Sequence, residues 1–480
     1  MSTHYDTLPV QASAMVRLRR HPVCMAIDHF LRTPWYFLVI GALTLLSAMF
    51  SLELVTYTCF IAIAIFVALL GRDLLPLTPL IVLSYIAPSV TSNPGVYNAS
   101  VFSGSSGIYL LCIAGIFVLC LCFRLCTDRQ IGRKAFLSRK RSLLFGMLIL
   151  GAAYMLGGAF SGYYTANLLR NLLFAFIQFL SVILFYYLFT GGIQWPSVPK
   201  AYLAWTGLCF GAVIFAEILH IYHVNQVLVG GQIDRDRIFS GWGNCNNMGT
   251  MLAIAIPFVF WLACNSKRIW LYEIIALAFM GGVVLSCSRG SILMAAAVYI
   301  ICYVVLFCRR VFGLRGCLVR LGILFGLILT PVLLYRENIV VLFESLLSRG
   351  WESSERQEIY AEGMKQFWRF PVFGGTFYPT EYIPFDFSMV QSFSNIFPPR
   401  WHNTFVQILA CCGSVGLSAY IFHRIQTIRL LLHKPNTAKF FIGLSLFVLL
   451  GASMVDCHFF NIGPTLFYSA SLAFAEKITD

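Results

Sequence analysis

Residues 291–308 read SILMAAAVYIICYVVLFC, with Arg289 just before them and Arg309 and Arg310 directly after. The run contains no charged residue, and its length approaches the roughly 20 apolar residues that a helix needs to cross a hydrocarbon core of about 30 Å. Backbone polar groups inside a bilayer must be satisfied within the protein, and a helix satisfies its own. We therefore predict a membrane-spanning helix here, and similar runs recur along the chain.

The composition extends this prediction to the whole molecule. Of the 480 residues, 59% are hydrophobic and 11% are charged, and the mean hydropathy is +0.79. We expect an all-α, polytopic transmembrane helical bundle of about 12 to 14 spans, because the apolar runs have helix length and lack the short alternation of a barrel. The predicted spans lie at about 35–51, 54–70, 74–90, 108–123, 142–160, 170–190, 201–222, 248–264, 270–287, 291–308, 318–335, 403–422, 440–455 and 463–475.

The net charge of +14 indicates topology rather than nucleic-acid binding, because the basic residues collect in short segments between predicted spans. Residues 124–141 hold seven Lys or Arg against one Asp, and residues 309–320 hold four Arg without an acid. The positive-inside rule places both segments in the cytoplasm. The chain then divides into a cytoplasmic segment (1–34), a transmembrane region (35–335), a large external loop (336–402) and C-terminal spans (403–480).

The loop at 336–402 interrupts the apolar pattern, and we expect the chemistry there. An S-x-x-Q capping box and the P-V-F-G-G sequence at 371–375 predict an amphipathic helix over about 355–369. Arg356 and Tyr360 share one face of it at helical spacing. This face suits a membrane surface, and the alternative is an ordinary loop helix whose arginine only snorkels.

Four positive or titratable side chains share the predicted external side: Arg237, Arg289, Arg356 and His402. Each alone has a structural explanation as an interfacial anchor, a helix cap or a core residue. Together they predict an anion site, because arginine forks bind diphosphate oxygens and histidine can accept a proton near neutral pH. An external membrane enzyme lacks ATP and nucleotide sugars, so it would use a preactivated lipid donor.

Several short motifs then carry a resemblance. Residues 402–416 (H-N-x9-G-S-V-G) resemble the H-[NSQ]-x9-G-x-x-G motif of the O-antigen ligase family, which shares its core with O-antigen polymerases. Residues 237–247 resemble the family's R-x-x-G followed by N-P-N, and residues 288–290 resemble its S-R-G. Arg356 with 371–375 resembles its R…P-x-x-G-x-G region. Two motifs depart from the family pattern. Residues 244–246 read N-C-N instead of N-P-N, and residues 374–376 read G-G-T instead of G-x-G.

The resemblance covers about residues 235–425 and implies an inverting, metal-independent glycosyltransferase of the bacterial inner membrane. The donor would be a glycan on undecaprenyl diphosphate, and the acceptor a hydroxyl of lipid A-core or another surface glycan, on the periplasmic or external side. A polymerase that extends a second lipid-linked repeat remains the alternative within the family. The predicted catalytic residues are His402 (general base), Arg356 and Arg289, and the predicted substrate-binding residues are Arg237, Asn403, Tyr360 and Trp401.

No metal or cofactor is predicted. The D-x-D at 234–236 would hold a metal in a nucleotide-sugar enzyme, but its predicted side is external. Glu217, His220 and His223 leave a second class open, a lipid-linked oligosaccharide transporter with a proton relay. Transporters place polar residues near mid-membrane and often carry internal repeats, and no repeat is visible here. An assay of donor consumption in detergent distinguishes the two classes.

The 16 cysteines lie mostly inside apolar runs and indicate small core residues rather than metal ligands. Cys245 and Cys457 are the exceptions, since both fall near predicted span ends. We expect these two to be exposed, with a disulfide between them as one option.

Overall fold

The computed structural model describes residues 14–88, 101, 104–128, 142–161, 168–229, 232–240, 243–310, 313–347, 354–375, 401–460 and 462–478. These residues are almost entirely helical, which confirms the all-α class. Predictions for most of the basic segment 124–141 and for the second half of the 336–402 loop lie outside the described residues.

The described helices fall into two groups around a pair of short hairpins. The first group is α1 (Ala14–Arg19), α2 (Pro22–Phe30), α3 (Pro34–Phe50), α4 (Glu53–Leu69), α5 (Leu77–Ser84), α6 (Gly104–Thr127), α7 (Leu144–Met155), α8 (Leu168–Gly192) and α9 (Tyr202–Val224). The second group is α10 (Cys245–Asn265), α11 (Ile269–Leu285), α12 (Arg289–Arg310), α13 (Leu314–Leu334), α14 (Arg336–Leu347), α15 (Ser354–Arg369), α16 (Thr404–Leu432), α17 (Thr437–Ala452) and α18 (Ile462–Lys477).

Between α9 and α10 the chain forms two antiparallel pairs of very short strands. β1 (Leu228–Val229) pairs with β2 (Gln232–Ile233), and β3 (Phe239–Ser240) pairs with β4 (Gly243–Asn244). Strands of this length carry no core of their own, so they act as turns that present the polar residues between them.

Five of the described helices are long and apolar enough to cross a membrane, or up to seven if each of two bent pairs counts as one span. Five shorter apolar helices of 10–17 residues lie beside them. Counting all of these reaches only the lower end of the predicted range. The predicted amphipathic helix at 355–369 is confirmed as α15, and α14 is a second helix in the same loop.

Helix α10 is the centre of the bundle. In its apolar window 94% of the residues are buried, and it packs against α9, α11, α12 and α17. Its first turn is capped by Asn244, whose side-chain oxygen accepts the N–H groups of Asn246 and Asn247, both at 3.1 Å.

Helix α16, one of these five candidate spans, doubles back on itself within the span predicted at 403–422, a reversal that the sequence did not predict. Gly413 breaks the helix with φ 64° and ψ −160°, values that only glycine adopts readily. The rings of Phe405 and Tyr420 lie 5.6 Å apart, whereas a straight helix would separate these positions by about 22 Å. We call residues 404–412 the first arm of α16 and residues 414–432 the second arm.

The turn at residues 371–375, directly after α15, fills the break between the two arms. A Cβ atom at Gly374 would lie 2.3 Å from the carbonyl carbon of Cys411, and one at Gly413 would lie 2.4 Å from the oxygen of Val372. Gly374 and Gly413, one from each glycine motif, therefore lie on the two sides of a single backbone contact between the 371–375 turn and α16. Its hydrogen bonds run from Gly375 N to Ala410 O at 2.8 Å, from Ser414 N to Pro371 O at 2.9 Å and from Val415 N to Val372 O at 3.1 Å.

Candidate active site

His402 stands at the start of the first arm of α16 in a constrained conformation. Its φ is +48°, which is uncommon outside glycine and is found most often at turns and functional sites. The Tyr360 hydroxyl on α15 donates to the His402 carbonyl oxygen at 3.0 Å. The preceding Trp401 is buried, and its N–H donates to Gln407 Oε1 at 2.9 Å. These contacts thus hold the backbone at His402 in place, while Nδ1 of the imidazole makes no hydrogen bond with a described residue.

Asp456, which the sequence analysis missed, faces this imidazole. Its Oδ1 lies 3.5 Å from His402 Nδ1, and its side chain is 4% exposed while that of His402 is 34% exposed. The Cys457 N–H donates to Oδ1 at 2.7 Å, and Asn246 Nδ2 donates to Oδ2 at 3.0 Å. A carboxylate fixed in this way can orient an imidazole and stabilise it once it is protonated.

Arg235 extends this pair into a continuous polar network. Its Nη2 donates to Asn246 Oδ1, and its Nε donates to Cys245 Sγ at 2.8 Å. Asn246 therefore joins Arg235 to Asp456 through its two side-chain atoms. The sequence predicted the neighbouring Arg237 as a substrate-binding residue and did not predict a role for Arg235, which lies just before the motif.

Arg237 makes its described contacts within its own loop. Its Nε donates to Asp234 Oδ2 at 3.0 Å, and its Nη1 lies 3.4 Å from the carbonyl oxygens of Asn225 and Gln226. The side chain is 39% exposed, so it can still reach a ligand. Its predicted role in substrate binding stays a prediction.

Arg289 enters the same region at the first residue of α12. The glycine of the S-R-G motif allows the approach, because a Cβ at Gly290 would lie 2.5 Å from Cγ2 of Val455, next to the site carboxylate. Ser291 Oγ donates to Asn246 O at 3.4 Å. The start of α12 is thereby packed on both segments that hold the network, with the Arg289 side chain exposed.

Arg356 is half-buried on α15, one turn before Tyr360, and makes no ion pair with any residue that the structure describes. Burial raises the pKa of Tyr360 above its ordinary value, the nearby Arg356 cation opposes this shift, and Asp456 adds to it. Tyr360 therefore stays protonated as a donor to the His402 backbone at neutral pH. The Arg356 cation and the Asp456 carboxylate thus both act on the Tyr360 hydroxyl.

Asn403 caps the first arm. Its Oδ1 accepts the N–H groups of Phe405 and Val406 at 2.8 and 3.2 Å, and its Nδ2 donates to Met454 O at 2.9 Å. Because both polar atoms are used by the protein backbone, the geometry favours a positioning role for Asn403. Trp401, 1% exposed, packs in the same junction, and substrate contact by either residue stays a prediction.

The expectation for Cys245 and Cys457 is wrong. Both cysteines are buried and neither forms a disulfide, because Cys245 starts the central helix and Cys457 follows a buried aspartate. Cys457 Sγ donates to Gln407 Oε1 at 3.4 Å. Among the described residues, no group of three His, Cys, Asp or Glu side chains could hold a metal ion.

Residues 274–421 match the family model described as O-Antigen ligase. The matched region runs from α11 into the second arm of α16, so it contains Arg289, Arg356 and His402, while Asn246 and Asp456 flank it. No curated protein matches the chain significantly. Over residues 274–421 the match confirms the resemblance to the O-antigen ligase and polymerase family that the motifs predicted.

Proposed function

We propose that this protein is an inverting, metal-independent glycosyltransferase that transfers a glycan from undecaprenyl diphosphate to an acceptor hydroxyl, with lipid A-core as the favoured acceptor class. The observation that carries the proposal is the His402–Asp456 pair at 3.5 Å. It lies beside an arginine, Arg356, that has no ion pair among the described residues. A general base and an unpaired cation are the two groups that this transfer needs.

The reaction follows from these roles. His402 takes the proton of the acceptor hydroxyl as that oxygen bonds to the anomeric carbon of the donor sugar. The bond from the anomeric carbon to the diphosphate oxygen breaks, and its electron pair leaves with the diphosphate. Attack opposite the leaving group inverts the anomeric configuration. Asp456 stabilises the imidazolium that forms.

Positive charge offsets the charge that develops on the leaving diphosphate. Arg356 and Arg289 are assigned this role, because a guanidinium fork can hold two oxygens of one phosphate group. Arg235 has an indirect role. It donates to Asn246, and Asn246 in turn donates to the carboxylate of Asp456 and fixes it. The polar groups gather at one end of α10, which favours an enzyme over a transporter with charges at mid-membrane.

The direct test uses the purified protein in detergent with lipid-linked glycan and a lipid acceptor. Enzymatic transfer consumes the donor and glycosylates the acceptor, whereas a transporter leaves both unchanged. A deletion strain then separates the two family reactions: lipid-linked polymer accumulates when a ligase is lost, and single repeats on the anchor remain when a polymerase is lost.

The side of the membrane has its own test. We place Arg289, Arg356 and His402 on the external face of the inner membrane. A cysteine at Lys365, which is 71% exposed on α15, should react with an impermeant reagent in intact cells once the exposed native cysteines are replaced by serine. Reaction only after permeabilisation would contradict the external site.

A further inference from the structure

Arg424, on the second arm of α16, is a charged residue inside the bundle that the reaction above does not use. Its guanidinium carbon lies 4.7 Å from the ring centre of Tyr420, 4.5 Å from that of Phe459 and 5.0 Å from that of Tyr468. It makes no ion pair with a carboxylate in the described part of the chain. Desolvating a charge is costly, and aromatic faces offset part of that cost. An ionisable residue kept in such a place is a functional candidate.

Tyr420, Phe459 and Tyr468 form an aromatic cage around Arg424. Through Tyr420 this cage contacts chain segments close to both members of the proposed dyad, His402 and Asp456. The Tyr420 ring packs edge-on against Phe405, three residues after His402, at 5.6 Å. It packs in the same way against Phe459, three residues after Asp456, at 5.3 Å. One aromatic ring therefore supports two chain segments that are far apart in sequence.

Tyr468 is the third wall of this cage. Tyr468 packs edge-on against Phe459 at 5.3 Å, and its hydroxyl is 2.7 Å from His423 Nε2. Phe459 is 1% exposed, so its ring has no room to move unless the guanidinium or a tyrosine moves with it. The turn that carries Asp456 is thereby tied to the second arm.

We propose that Arg424 is a positioning residue for glycan transfer. Its planar guanidinium stacks on Tyr420 and Phe459. These contacts set the position and orientation of the turn that carries Asp456 relative to His402. A backbone hydrogen bond from Thr404 N to Ser453 O at 2.9 Å already joins the same two segments. The cage joins them at a second point. This inference rests on the proposed function, since it assigns Arg424 an effect on that reaction.

Two variants separate charge from shape. Arg424→Met keeps the length and removes the cation, and we expect kcat per folded enzyme to fall about tenfold to a hundredfold, because misplacing a reacting group by about 1 Å has effects of this size. The donor KM should stay unchanged, since Arg424 does not touch the donor. Arg424→Lys restores charge without the planar stacking and should recover little of kcat. An unchanged kcat in Arg424→Met would overturn the proposal, whatever happens to stability.

A double-mutant cycle tests whether Arg424 acts through Asp456. In an Asp456→Asn background, Arg424→Met should lower kcat by less than about threefold, because the group it positions is already impaired. Arg320→Met is the control for additivity: Arg320 also stacks on an aromatic ring, Trp270, at 4.2 Å, but it pairs in addition with Glu273, so its effect is compared as kcat per folded enzyme. Arg320→Met should change kcat by the same factor in the unmodified protein and in the Asp456→Asn background. Equal factors for Arg424→Met in the two backgrounds would refute the inference.

Phe459→Leu covers the case in which Arg424→Met fails to insert and fold. It removes one wall of the cage and leaves the cation, and it should show the same coupling to Asp456→Asn, with equal factors again refuting the inference. The proposed function has separate controls. Full transfer by both His402→Ala and Asp456→Asn would reject the dyad itself, whereas loss in both with an additive Arg424→Met would reject only the role of Arg424.

Discussion

Two polar clusters lie at opposite ends of α9 and differ in how completely they satisfy their own charges. At the first end, marked by a hydrogen bond from Tyr202 to Leu31 O at 3.1 Å, Arg32 donates to Asp28 at 3.0 Å and to Asp73 at 2.8 Å. The side chain of Asp73 is fully buried, and its second oxygen accepts a backbone N–H at 2.9 Å. Each of these charges therefore has an ion-pair partner inside this closed cluster, although Arg32 Nη1 makes no hydrogen bond with a described residue.

At the other end of α9, Asn225 Nδ2 donates to Arg237 O at 2.8 Å, and the cluster beyond it stays open. His402 pairs with Asp456 at 3.5 Å and keeps a third of its side chain exposed. Arg356 has no ion pair among the described residues. Both clusters combine arginine with buried aspartate, so residue type does not separate them. Charge left unpaired at one end is what indicates a ligand there.

Removing the base from the open cluster should have the largest effect. His402→Ala should lower kcat by about a hundredfold to ten-thousandfold, the usual contribution of general-base catalysis, and leave donor binding intact. The two measurements are transfer by the purified enzyme and donor affinity.

His402→Gln is the matched variant for this prediction. Glutamine keeps a hydrogen-bonding side chain of similar reach but cannot act as a base. Substantial activity in this variant would mean that the histidine only binds the diphosphate.

Arg356 tests whether the unpaired charge is the functional one. Arg356→Ala should lower kcat by about a hundredfold to a thousandfold, since it removes a donor aimed at developing negative charge. Arg369→Ala is the control at the far end of α15, where the side chain is exposed, and it should remain near the activity of the unmodified protein. Arg356→Lys should recover little, and full activity in it would mean a surface anchor.

A pair of aspartates tests the comparison itself. Asp456→Asn should reduce kcat by on the order of tenfold to a hundredfold through a misoriented imidazole, with little change in unfolding temperature. Asp73→Asn should do the reverse: it weakens a buried ion pair in the closed cluster, at a cost of about 3 kcal/mol of stability, while kcat per folded enzyme is kept. A loss of stability in both variants, with equal kcat, would erase the distinction between the clusters.

The fold was largely predictable because apolar runs with charged or glycine-containing ends define helices directly. Predicted spans at 201–222 and 270–287 agree with α9 and α11 to within a few residues. The reversal in α16 was not predictable in this way. Gly413 lies in an otherwise continuous apolar run, and its positive φ follows from a tertiary contact with the 371–375 turn.

The site was predictable where residues belong to motifs and not where they depend on packing. Trp401, His402 and Asn403 lie together in the sequence, so their proximity needed no fold. Asp456 was missed because a lone acid at the end of an apolar run resembles a span boundary. No motif marks it, because its position beside His402 depends on how the turn after α17 packs against α16.

The smallest expected effect compares two helix caps with the same chemistry. Asn403 caps the first arm of α16, and Asn436 caps α17, with its side-chain oxygen accepting Lys439 N–H at 2.8 Å. Replacing either asparagine by alanine should cost about 1 kcal/mol of stability, the usual value of an N-cap. Only Asn403→Ala should also lower kcat, by about fivefold, because its cap fixes the residue that follows His402.

Asn403→Asp separates the two bonds of this side chain. Aspartate still accepts the N–H groups of the first turn, so the cap and the stability should be kept, but it cannot donate to Met454 O. If the link to Met454 aligns the first arm with the Asp456 turn, kcat falls as in Asn403→Ala while the unfolding temperature does not. Equal kcat in Asn403→Asp and the unmodified protein would assign the whole effect to the cap, and equal losses of kcat in Asn403→Ala and Asn436→Ala would show that neither cap is specific to the site.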